Sequence, residues 1–107
     1  MMLINDIKRA MCHEFGISQT EIEGPSRKHR AVLPRHLAMA LALTTTGKSM
    51  FQIAQRFGGR DHTTVVYARA KFAAVVARVG ETLPDDAPPE QWAYALRMEI
   101  VGEKNAA

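Results

Sequence analysis

The chain's 107 residues make one domain with a modest core. Its single cysteine, Cys12, excludes an intramolecular disulfide framework and a multi-cysteine metal site. The net charge of +3 hides an asymmetry: residues 26–72 carry nine basic side chains against Asp61 alone, a local +8 between ends at −2 and −3. A basic middle between acidic ends is the electrostatic footprint of a nucleic-acid binder, against the plainer alternative of a solvated basic surface. No run approaches the ~20 apolar residues of a membrane span. The Met1-Met2-Leu3-Ile4 start lacks the basic and long apolar regions of a secretory signal, so a cytoplasmic protein without membrane contact is expected.

Strand signals are absent, and helical periodicity recurs along the chain. Residues 3–15 fit a first helix with Ile4, Ile7, Met11 and Phe15 on one face, ended by Gly16. Ser18 caps a short second helix with Glu21 in capping-box position, and Gly24-Pro25 breaks it. Ser26 to Arg30 is basic and poor in apolar residues, a loop or the start of a helix. Pro34 is placed at the first turn of a third helix, whose buried stripe is Leu37, Leu41 and either Met39 or Leu43. Thr44-Thr45-Thr46 weakens that helix, and Gly47 is read as its C-cap.

Ser49 caps a fourth helix with Gln52 three residues on, and Met50, Ile53, Ala54 and Phe57 form its apolar face. Gly58-Gly59 stops it. A fifth helix is predicted over about 62–79, with Val65, Ala68, Phe72, Val75 or Val76, and Val79 toward the core. The expected domain is residues 1–80, followed by a proline-rich linker at 81–89. A helix over 90–101, anchored by Trp92, packs on the same domain, and 102–107 is an expected disordered tail.

The pair of helices at 49–58 and 61–79 has helix-turn-helix dimensions. Two glycines permit a tight turn with positive φ, and Asp61 is a good N-cap. The first turn of the second helix of such a pair points into the major groove. There His62 can hydrogen-bond a base edge or phosphate, and Thr63 and Thr64 offer hydroxyls and methyls. Asp61 can accept from a cytosine amino group, although capping is its plainer role. Arg60 and Lys48 lie near enough in sequence for backbone contacts. Ser26-Arg27-Lys28-His29-Arg30 has the composition of an arm that enters a minor groove, or of a solvated basic loop.

Two stretches, Pro34-Arg35-His36-Leu37-Ala38-Met39-Ala40-Leu41 and Phe57 through Val65 with its Gly-Gly-Arg-Asp-His-Thr-Thr-Val string, closely resemble the C-terminal DNA-binding domain of the bacterial chromosomal replication initiator DnaA. The likeness covers residues 3 to about 100. It implies an all-α domain of five or six helices with a Trp-repressor-like helix-turn-helix, reading a DnaA box of the form TTATCCACA as a monomer. By position, Arg27 matches the minor-groove arginine, and Asp61, His62, Thr63 and Thr64 match the major-groove base readers. Arg35, His36, Lys48 and Arg60 fall at or near backbone-contacting positions. The sequence has no P-loop, so ATP-driven assembly and origin melting are not expected of it. Phe51 stands where the family often has proline, Gln52 where glutamate is common and Ala54 where glycine is common.

Other constellations have bland readings. Cys12-His13-Glu14 lacks a second cysteine or a His-x-x-x-His pair, so no metal or other cofactor is expected. His29 and His36 read as surface residues beside basic groups. Asp61 and His62, about 100° apart on a helix, are not expected to share a site. No nucleophile–base arrangement supports an enzyme. Two functions remain. The first is sequence-specific binding of double-stranded DNA at DnaA-box-like sites, as a replication or transcription regulator without ATPase activity. The alternative is a protein-interaction module for a replication protein, with Trp92 and Tyr94 in the contact surface.

Overall fold

A computed structural model describes residues 2–106, with 103–106 described by their backbone alone; Ala107, the end of the expected tail, lies outside the described residues. Six helices follow one another: α1 (Ile4–Phe15), α2 (Gln19–Glu23), α3 (His29–Thr45), α4 (Met50–Gln55), α5 (His62–Thr82) and α6 (Pro89–Ala106). The all-α architecture expected from periodicity is the one observed, and no strand occurs among the described residues.

The short helices start where their side chains cap them. Ser18 accepts from the Glu21 amide at 3.1 Å while the Glu21 carboxylate accepts from the Ser18 amide at 3.2 Å. Ser49 and Gln52 repeat the reciprocal pair at 3.1 and 2.9 Å. Each pair satisfies two amides that a helix start leaves without partners. α1 ends on Gly16 in the left-handed region at φ 67°.

α3 is the central element and packs against α1, α2, α4 and α5. It begins at His29, so Pro34 lies inside the helix, buried, rather than in its first turn. Proline has no N–H for the Arg30 carbonyl, and the sequence rule placed the helix start at the proline for that reason. Here burial of Ala31 and Pro34 in the core favours the earlier start. The expected stripe is widened too: Leu37 through Ala42 are all buried, since alanines at three of these positions let neighbouring helices approach from every side. At its end Thr44, Thr45 and Thr46 each donate a hydroxyl hydrogen bond to the carbonyl four residues back. The chain then turns at Gly47, φ 73°.

α5 packs Val65, Ala68, Phe72, Val75, Val76 and Val79 into the core and runs three residues past the expected end at Val79. The irregular connection is therefore 83–88, shorter than the expected 81–89 linker. α6 crosses α1 and α5. Trp92 is half-buried against the core, and its ring lies where a side chain on Gly80 would be, 3.1 Å from the ideal Cβ position. α6 continues through 102–106, within the stretch expected as a disordered tail. One glycine costs a helix about 1 kcal/mol without stopping it, and no proline follows Gly102.

Candidate nucleic-acid interface

The α4–turn–α5 unit is built by its glycines. Gly58 and Gly59 have φ of 79° and 69°, and a Cβ on Gly58 would lie 2.2 Å from the Glu23 carbonyl oxygen. The turn therefore packs directly on the end of α2. Asp61 caps α5 by accepting from the Thr63 amide at 2.9 Å. Donation from the Thr63 amide and hydroxyl holds the Asp61 carboxyl below its usual range. The capping role assigned from sequence is thus occupied, while the side chain stays 70% exposed.

His62 lies 3.3 Å from Asp61, Nδ1 to Oδ1. Sequence reasoning separated these two by a helical rotation. Asp61 is the cap, with extended backbone at φ −65° and ψ 142°, so that rotation does not apply. The other partner of His62 is Phe51, whose ring centroid is 4.3 Å away at an interplanar angle of 30°. Thr63 is exposed and Thr64 half-buried beside it.

Two arginines hold the segment that leads into the arm, Arg60 from the turn and Arg35 from α3. The Arg60 guanidinium donates to the carbonyls of Glu23 and Phe57 at 2.8 and 2.6 Å, and also to that of Gly24. Arg35, 3% exposed, donates to the carbonyls of Ile22, Ser26 and Glu21 at 2.8, 2.9 and 2.7 Å. Burial, and then the charge of Arg60, push its pKa down from the usual arginine range. Both guanidinium groups are thus spent on fixing residues 21–26. The sequence had placed Arg35 and Arg60 at or near DNA-backbone-contacting positions; nothing in an α3 or turn register reveals that they also donate to carbonyls 9 to 37 residues away.

Arg27 follows directly and is exposed. An open groove of about 770 Å³ separates the arm from the tip, and Arg27, Arg35, His36, Arg60 and Thr64 are all on its walls. His36 is half-buried rather than on the surface, edge-on to Tyr67 at 5.5 Å. Burial first, then the charges of Arg35, Lys71 and Arg60, lower its pKa, which favours the neutral imidazole. Lys48 is exposed but stands apart, on a cleft with Ile4, Gln52, Gln55 and Arg56.

Lys8 was not singled out in the sequence. It is 3% exposed, donates to the Arg56 carbonyl and lies 2.5 Å from the Glu23 carboxylate, with its ammonium 5.1 Å from the Phe57 ring centroid. It ties α1 to both ends of the site. Among the described residues no group of three His, Cys, Asp or Glu is arranged to hold a metal ion, and no helix is long and apolar enough to cross a membrane.

Comparison with known proteins places this geometry. Residues 4–71 match the family described as bacterial dnaA protein helix-turn-helix. The chain is 41% identical over 83 residues to the chromosomal replication initiator protein DnaA of Nitrobacter hamburgensis, covering 78% of this chain and 17% of that protein. A Bradyrhizobium sp. protein of the same name gives the same values. That of Rhodopseudomonas palustris is 41% identical over 75 residues, 70% of this chain and 16% of that protein. The chain thus spans about one-sixth of the length of these relatives.

Proposed function

The chain belongs to the bacterial DnaA helix-turn-helix family, and from that premise we propose that it binds double-stranded DNA at DnaA-box-like sites as a monomer. The observation that carries the reading is the pairing of arm and tip. Arg35 and Arg60 fix residues 21–26 against α3 and the glycine turn, so Arg27 and Thr64 line one groove, with His62 and Thr63 next to Thr64 in the first turn of α5. The tip of α5 enters the major groove, and Arg27 reaches the neighbouring minor groove. Lys48 meets phosphate from the side of α4, and His36 faces the groove as a neutral donor or acceptor. Phosphate contacts supply most of the affinity, and the α5 tip supplies selectivity.

Action is by occupancy, as a regulator of replication or transcription, with no ATP hydrolysis by these residues. Hydroxyl-radical footprinting on a duplex containing TTATCCACA tests it. The expected result is one protected face over the box, with the protection at its minor-groove end lost in Arg27→Ala. Uniform weak protection along the duplex would contradict the reading. No protection at all would favour the alternative, a contact with a replication protein, for which Tyr94 is exposed while Trp92 is engaged on Gly80.

A further inference from the structure

Phe51 has no evident structural task. It is in the first turn of α4, next to the capping box, and is 65% exposed. A phenyl ring left in water gains little from burial. Its aromatic contact among the described residues is with His62, at 4.3 Å between centroids and 30° between planes. That is a close, tilted ring–ring contact. On its own ring edge His62 also meets the Asp61 carboxylate through Nδ1 at 3.3 Å. The imidazole therefore lies against Phe51 on one face and beside a carboxylate at one nitrogen, while its side chain remains 39% exposed. Two restraints of this kind remove rotamer freedom that an exposed histidine otherwise loses on binding.

We propose that Phe51 is a positioning residue for His62, pre-organising the imidazole for the base pair it reads and so setting selectivity at that pair. The inference rests on the reading that the α5 tip reads bases. It concerns an exposed side chain, so its removal leaves the core untouched.

The test uses the full chain with Phe51→Leu, which keeps an apolar side chain without a ring, and Phe51→Tyr, which keeps the ring. In the DNA-free protein, the His62 ring protons shift in Phe51→Leu and hold near their wild-type positions in Phe51→Tyr; identical spectra for wild type and Phe51→Leu would overturn the stack. Anisotropy against TTATCCACA and its single-base-pair variants then reads selectivity. Phe51→Leu is expected to lose about two- to tenfold of the preference at the base pair to which His62→Ala is blind, with Phe51→Tyr restoring it. Phe51→Leu combined with His62→Ala should discriminate no worse than His62→Ala alone. A Phe51→Leu that weakens every duplex equally, or adds its full effect to that of His62→Ala, overturns the positioning role while leaving box recognition intact. A wild-type chain indifferent to base sequence overturns base reading itself, and this inference with it.

Discussion

Arg35 separates two accounts of the same residue. If it fixes the arm, Arg35→Met removes three charge-assisted hydrogen bonds to the carbonyls of Glu21, Ile22 and Ser26. Bonds of this kind contribute about 1.5–3 kcal/mol each, or roughly 5–9 together. Burying a guanidinium at 3% exposure costs several kcal/mol in lost hydration, which the methionine avoids. The net loss is about 2–4 kcal/mol, since the methionine stem keeps the packing but the carbonyls lose their donors. For a domain of this size that lowers Tm by on the order of 10–25 °C. Urea and thermal unfolding followed by circular dichroism measure it. Binding should fall as well, because residues 21–26 lose their anchor and Arg27 its fixed position. The reasoning is refuted if Arg35→Met unfolds within about 0.5 kcal/mol of wild type, the usual range for a neutral surface change. A variant of wild-type stability that binds all duplexes more weakly would make Arg35 a phosphate contact instead.

Arg27→Ala and His62→Ala should each cost about 1–3 kcal/mol on a cognate site in titrations, with melting unchanged for the exposed Arg27. Lys48→Ala should weaken cognate and scrambled duplexes alike and reduce the slope of log K against log salt by about 1; an effect confined to the box would assign it a base. Gly58→Ala should destabilise more than Gly59→Ala. Both bear the left-handed backbone cost of about 1–2 kcal/mol, but only at position 58 does the new methyl meet a backbone carbonyl, at 2.2 Å, and comparative urea unfolding ranks them. The hydrogen bond from Lys8 lowers the Glu23 pKa below its ordinary 4.5. A depressed carboxylate stabilises the fold above its unfolded pKa and loses that contribution as pH falls through the folded value. Wild type should therefore lose stability below about pH 4.5 more steeply than Glu23→Gln, and parallel acid limbs would refute the pairing.

Local signals in the sequence were the reliable ones. The two capping boxes, the Asp61 cap and the glycine turn rest on neighbours within three residues, and a linear reading finds them. The tip of α5 was legible for the same reason. What the sequence concealed are contacts between distant segments. Arg35 and Arg60 read only as basic residues in a basic stretch, which does not announce their carbonyl partners. Lys8 looked like one more charge on α1, yet it is buried against Glu23 and Phe57. The start of α3 was placed too late because burial of Ala31 and Pro34 outweighs a missing amide. The proximity of Asp61 and His62 was hidden by applying helical rotation to a residue that caps the helix from outside it.

Box recognition is tested most directly by fluorescence anisotropy with a TTATCCACA duplex and a scrambled duplex, each at low and near-physiological salt. Phosphate contacts alone lose affinity steeply with salt and do not distinguish the two. The account predicts a preference for the box that persists at the higher salt and disappears in His62→Ala. Equal, strongly salt-sensitive binding to both duplexes would contradict it.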